Sequence, residues 1–125
     1  MGEFQPVKID KPWGHEILWA RSERYVGKII AIRQGASLSL QYHRLKDETI
    51  YVLKGVLRFQ SGPSEDALKE ERLTPGQARH IPAGLLHRMS AEEDCELLEA
   101  STTELDDVVR LKDDYGRADS STRPG

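Results

Sequence analysis

Four side chains in the middle of the sequence have the types and spacing to hold a metal ion: Gln41, His43, Glu48 and His87. The run Ser37-Leu38-Ser39-Leu40-Gln41-Tyr42-His43 alternates between polar and apolar residues, which is the period of a strand with two chemically different faces. Gln41 and His43 lie two apart and so share one face. Glu48 returns beside His43 after a short charged turn over 44–47, and His87 opens a later strand just after Pro82-Ala83-Gly84. Imidazole nitrogen, carboxylate oxygen and amide oxygen form a mixed donor set. It suits zinc, manganese, iron, cobalt or nickel better than magnesium or calcium. A lone His-x4-Glu is a weak signal, and the same four groups could hydrogen-bond to one another without an ion. Burying Glu48 with no cation, however, would be costly or would force its protonation.

The elements that must position these residues read as short strands divided by glycine and proline. Lys28 to Ile32, Ser37 to His43, Thr49 to Leu53, Val56 to Phe59 and a run around Leu68 to Leu73 have strand character. Gln34-Gly35, Lys54-Gly55, Thr74-Pro75-Gly76 and Pro82-Ala83-Gly84 are the breaks between them. Short strands at this spacing predict an all-β barrel or sandwich. A helical turn is expected only near the end, over 103–109, with Ser101 to Thr103 as its cap. Residues 1–117 read as one domain with an N-terminal arm containing Trp13 and Trp19, and 118–125 as a flexible tail. The two tryptophans are expected to cover a barrel end or a dimer seam.

With 125 residues the chain has room for one core, and a domain of this size buries roughly two-thirds of its unfolded surface. A formal charge of −3 with scattered basic residues gives no footprint for nucleic acid or an anionic membrane. No apolar run is long enough for a membrane span, and the first residues lack the apolar stretch of a signal peptide. The expected location is the cytoplasm. Cys95, the single cysteine, sits among Leu97 and Leu98 and reads as a small buried core residue.

The segments Gly35-x5-Gln41-x-His43-x4-Glu48-x6-Gly55 and Gly76-x5-Pro82-x-Gly84-x2-His87 resemble the two motifs of the cupin superfamily, with Gln41 where the commonest version has histidine. The resemblance implies a double-stranded β-helix of jelly-roll type, with Gln41, His43, Glu48 and His87 as ligands of one divalent metal. A closer resemblance runs from Lys11 to Arg117. Lys11-Pro12-Trp13-Gly14, Tyr25, Lys28, Leu38-Ser39-Leu40-Gln41-x-His43, Ile81-Pro82-x-Gly84-x2-His87-Arg88, Asp106-Asp107-Val108-Val109-Arg110 and Asp114-Tyr115-Gly116-Arg117 carry it. Together they are similar to the cupin domain of type II mannose-6-phosphate isomerases. That domain also forms the C-terminal part of bifunctional isomerase–mannose-1-phosphate guanylyltransferases. Where those enzymes carry consecutive histidines followed by Arg-Ala-Glu-His-Trp, this chain reads His43-Arg44-Leu45-Lys46-Asp47-Glu48-Thr49-Ile50.

The resemblance implies a metal-dependent conversion of mannose-6-phosphate to fructose-6-phosphate through an enediolate stabilised by the metal. It supplies Lys28 and Arg88 as catalytic candidates and Lys28, Arg110 and Arg117 as partners for the sugar phosphate, and Lys46 is a further cationic candidate of this chain's own sequence. Alternation places Arg88 on the face opposite His87. Arg110 and Arg117 have nearby aspartates as alternative partners. His80, Lys46 and Glu16 are the candidates for the base. A metal-containing sugar or nucleotide-sugar binding module without catalysis is a second possibility, and a metal-dependent dioxygenase a third. A homodimer is expected through a flat apolar outer face.

Overall fold

Alternation along the chain decides which side chains go inside. In strand β5 (Glu48–Lys54) the residues Glu48, Ile50 and Val52 are buried while Thr49, Tyr51 and Leu53 are exposed, and β3 (Val26–Ile32) and β10 (Cys95–Ser101) follow the same period. A computed structural model describes residues 2–118. Its remaining strands are β1 (Val7–Lys11), β2 (Gly14–Arg21), β4 (Leu40–Tyr42), β6 (Leu57–Gly62), β7 (Lys69–Leu73), β8 (Ala78–Ile81), β9 (Leu86–Ala91) and β11 (Val109–Lys112). They form a six-stranded sheet in the order β1-β2-β3-β10-β5-β8 and a five-stranded sheet in the order β11-β4-β9-β6-β7.

From β3 onward the chain crosses between the sheets at nearly every step, and the named strand pairs are antiparallel. This is the cupin jelly roll, as the motifs imply. Between the sheets lies a core that includes Ile30, Ile32, Ile50, Val52, Leu57, Phe59, Leu73, Ile81 and Leu97. Each such buried side chain contributes about 1.5–3 kcal/mol. Gly35, Gly55, Gly76 and Gly84 take φ between 82° and 95° at the breaks, a region glycine enters without strain. At Gly55 a Cβ would also lie 2.1 Å from the Asp94 carbonyl oxygen.

Three expectations are corrected. The N-terminal arm is a hairpin: β1 pairs with β2 in the register Lys11↔Gly14 to Val7↔Leu18, around the turn at Pro12-Trp13. Trp13 is consequently a core residue, 2% exposed, whereas Trp19 lies open on the outer face over Gly27. The C-terminal helical turn is absent. The bonds Leu105 N–H to Thr103 O and Asp107 N–H to Glu104 O are isolated tight turns leading into β11, because the segment closes over the barrel rather than packing an amphipathic face of its own. The single long strand read over 37–43 is shorter, with β4 limited to Leu40–Tyr42 and a separate bridge from Ser37 to Ser90. Of the expected tail, only Ala118 lies within the described residues. Among them, no helix is long and apolar enough to cross a membrane.

Cys95 is 2% exposed and its thiol donates to the carbonyls of Val56 and Glu93, each at 3.1 Å. Burial pushes the thiol up from 9.0 to about 11. An unfolded chain therefore releases this proton between pH 9 and 11 while the folded chain keeps it, so stability falls as pH rises through that window. Denaturant titrations at several alkaline pH values are expected to show a shallower loss in Cys95→Ala than in the parent.

Candidate metal centre

The two sheets contribute to one inner cavity. Gln41 in β4 lies directly opposite His87 in β9 within the five-stranded sheet, and His43 follows β4 by one residue. Glu48 begins β5 in the other sheet. The turn after β8 ties them together, because the Gly84 N–H donates to the His43 carbonyl at 2.7 Å. His43, Glu48 and His87 are all buried, and their ligand atoms lie within 4.8 Å of one another. Glu48 Oε1 is 3.2 Å from His43 Nε2 and 3.6 Å from His87 Nε2.

The hydrogen bonds on the far side of each ring show that this cluster fits a cation. His43 Nδ1 meets the Asp107 carbonyl, and His87 Nδ1 meets the Leu85 carbonyl at 3.0 Å. A carbonyl only accepts, so Nδ1 carries the proton and Nε2 of the neutral ring presents a lone pair. Two lone pairs then face one carboxylate oxygen in a buried space, and His87 Nε2 has no hydrogen-bond partner. An ion bound to all three atoms resolves that conflict, and orientation of ligating histidines by backbone carbonyls is the usual supporting arrangement. Burial pushes the His87 pKa down, keeping its ring neutral. Burial works against the charge on Glu48, but its polar neighbours, the Lys46 ammonium among them, hold its carboxyl well below the usual carboxylate range. Gln41 lines the same cavity, with its Oε1 accepting from Ser39 Oγ at 3.3 Å.

The other candidates divide between inside and outside. Lys28, Lys46, Arg110 and Arg117 line the cavity. Lys28 Nζ is 3.1 Å from Glu16 Oε1, and Arg117 is held by the Asp113 carboxylate at 2.9 and 3.1 Å. Lys46 is no surface cation. It is 5% exposed, with Nζ 3.2 Å from both Glu48 Oε2 and Glu99 Oε2. Burial would lower its pKa, yet Glu99 and Glu48 raise it and keep it an ammonium. Arg88 as a catalytic residue is corrected. It points away from the cavity and donates to the Leu38 carbonyl and to Asp114, each at 2.9 Å, as its parity with respect to His87 requires. His80 also lies outside, 2.6 Å from Asp47 on the surface.

Sequence reasoning gave no site role to Glu99, Lys11, Leu105 and Val108, which line the cavity, nor to Asp107. Glu99 had a visible signal, since it shares parity with Cys95 and Leu97 on an inward face. Its burial and the neighbouring Glu48 push its pKa up to about 7. Asp107 is a tie for the whole turn. Its carboxylate accepts from the N–H groups of Arg44, Leu45 and Lys46 at 2.7–3.0 Å, while its carbonyl orients His43.

Residues 4–113 match the family model described as mannose-6-phosphate isomerase C-terminal. The chain belongs to this family. It is 34% identical over 115 residues to the xanthan biosynthesis protein XanB of Xanthomonas campestris pv. campestris, covering 88% of this chain and 24% of that protein. It is 31% identical over the same length to the mannose-1-phosphate guanylyltransferase ManC of Salmonella typhimurium, covering 88% of this chain and 23% of that protein. The chain thus spans about a quarter of the length of these relatives. Among solved structures, KdgF from Halomonas sp. superposes with a TM-score of 0.71 at 20% identity, over 80% of this chain and 90% of that one. Oxalate decarboxylase from Bacillus subtilis gives 0.73 at 19% identity, over 85% of this chain and 30% of that one. These two likenesses concern the fold.

Removing the Asp107 carboxylate deprives three backbone donors of their acceptor. Asp107→Ala is expected to cost about 1–3 kcal/mol in denaturant unfolding, and Asp107→Asn less, since an amide oxygen still accepts.

Proposed function

We propose that this chain is a metal-dependent sugar-phosphate isomerase domain acting on mannose-6-phosphate to give fructose-6-phosphate. The observation that carries the reading is one cavity lined by His43 and Glu48, whose cluster is completed by the buried His87 behind them, together with the cationic residues Lys11, Lys28, Arg110 and Arg117. A divalent ion of zinc, manganese, iron, cobalt or nickel, held by these three residues and Gln41, would supply Lewis-acid polarisation of the sugar's carbonyl. The cationic side chains orient the phosphate at the mouth of the cavity. Trp13, Leu105 and Val108 add apolar surface to the lining of the same cavity, which limits the access of water. Glu16 is assigned as the proton carrier. Of the candidate bases it alone offers a carboxylate to the cavity, since His80 lies outside and Lys46 is committed to two carboxylates. Lys28 holds Glu16 in place.

A coupled assay for fructose-6-phosphate tests this, with protein loaded separately with each metal. Turnover that depends on metal, is abolished in Glu48→Ala and falls about 10²–10⁴-fold in Glu16→Gln is the expected result. Stoichiometric metal binding without turnover would sink the isomerase reading. If mannose-6-phosphate then still raised the melting temperature, the binding-module reading would replace it. Oxygen uptake by ferrous protein would instead point to the dioxygenase.

The same proposal places the protein in the cytoplasm and pairs it with a second copy of itself. Supporting the pairing is the outer face of the six-stranded sheet, where Ile17, Ile29, Leu98 and Tyr51 lie opposite one another across four neighbouring strands. The outer face of an antiparallel sheet is ordinarily polar. Sedimentation is expected to give a dimer that Leu98→Lys converts to monomer; a concentration-independent monomer would rule the pairing out.

A further inference from the structure

The two oxygens of the Glu48 carboxylate face different neighbours. Oε1 points to the imidazoles, 3.2 Å from His43 Nε2 and 3.6 Å from His87 Nε2. Oε2 lies 3.2 Å from the Lys46 ammonium. Lys46 has little freedom to move away: its Nζ is also 3.2 Å from Glu99 Oε2, its backbone N–H donates to Asp107 Oδ2 at 2.9 Å, and its side chain is 7% exposed. A carboxylate can bind a metal through one oxygen or through both, and the groups behind a ligand decide which. We propose that Lys46 is a positioning residue for the metal centre, occupying Oε2 so that Glu48 presents only Oε1 to the ion.

This rests on the metal-site reading above and adds to it a role for a pair that contacts neither imidazole. Two physical arguments favour positioning over simple charge pairing. Glu48 could satisfy its whole charge with an ion alone, so a stabilising role does not require an ammonium on its second oxygen. And a buried ion pair is by itself a poor source of stability, because desolvation offsets most of the attraction. What Lys46 does supply is a fixed carboxylate rotation. With one oxygen engaged elsewhere, the ion keeps a coordination position free for a substrate oxygen.

Cobalt(II) is the probe, since its visible absorption weakens as its coordination number rises. The deciding variant is Lys46→Met/Glu99→Gln, which removes the ammonium together with the charge of the second carboxyl that it faces and leaves Glu48 to the ion. In this variant Glu48 is free to bind through both oxygens, and the absorption per bound cobalt is expected to fall relative to the parent. Glu99→Gln alone retains Lys46 on Oε2 and is expected to keep the parent spectrum. A double variant that binds cobalt with the parent spectrum would overturn the proposal while leaving the metal site intact. So would a Glu99→Gln spectrum as altered as that of the double variant. Parent protein that binds no cobalt would remove both the metal reading and this one.

Discussion

The fold depends on neutralising the carboxylate of Glu48, a charge only 3% exposed between two sheets. Isolated, it would be too costly to bury in a domain whose whole stability is a small difference between large terms. The structure surrounds it with a row of alternating charges. In order of contact these are Glu16, Lys28, Glu99, Lys46 and Glu48, with distances of 3.1 Å for the first pair and 3.2 Å for the last two. Lys28 and Glu99 are direct cross-strand partners on β3 and β10. Opposite charges placed across a ladder attract rather than compete. Taking away one member would leave its neighbours buried without a counter-charge, which is why the row acts as a unit.

The jelly roll is what allows such a row to exist. Residues 41–48 bring candidate ligands from a strand in one sheet and a strand in the other, and residue 87 returns beside residue 41 through strand pairing. The segment between β10 and β11 then closes the end. The Thr102 N–H donates to the Asp47 carbonyl, the Asp107 carboxylate gathers three N–H groups of the turn over 44–46, and Leu105 and Val108 line the cavity. A helix in this segment would satisfy its own backbone internally. The irregular path instead directs a side-chain carboxylate and a carbonyl to the ligand turn, so the site gains its outer support from the loss of regular structure.

What could be read from the sequence follows the range of each interaction. Gln41 and His43 are legible because strand parity is local, and the glycines because a reversal with positive φ admits little else. The family motifs extend that reach to His87, whose contact with Gln41 no local rule predicts. Lys46 is named by the sequence as a substrate or base candidate, but its pairing with Glu48 and Glu99 joins three elements that no local rule connects. Glu99 goes unnoticed unless strand parity is carried from Leu97. The hairpin of β1 and β2 was missed because β1 is exposed over most of its length; its formation is decided by β2 and β3, not by a hydrophobic pattern of its own. Arg88 shows the reverse case, where strand parity already placed the side chain outside and the structure agrees.

The row of charges also bears on what the cavity can accept. Glu16, Glu99 and Glu48 are three carboxylates against the ammoniums of Lys28 and Lys46, so the row is short of one positive charge. The shortage is felt where the two acids meet, in the raised pKa of Glu99, about 7. It is felt also at the two imidazole lone pairs, which turn toward Glu48 instead of away from it. A divalent ion among His43, Glu48 and His87 more than makes up the difference and turns the deficit into one excess positive charge. Lys11, Arg110 and Arg117 add positive charge at the same cavity, partly offset by Asp113. A ligand that brings a neutral oxygen to the ion and a phosphate to these side chains matches that distribution better than a neutral sugar, because the field inside such a cleft reinforces binding of an anion.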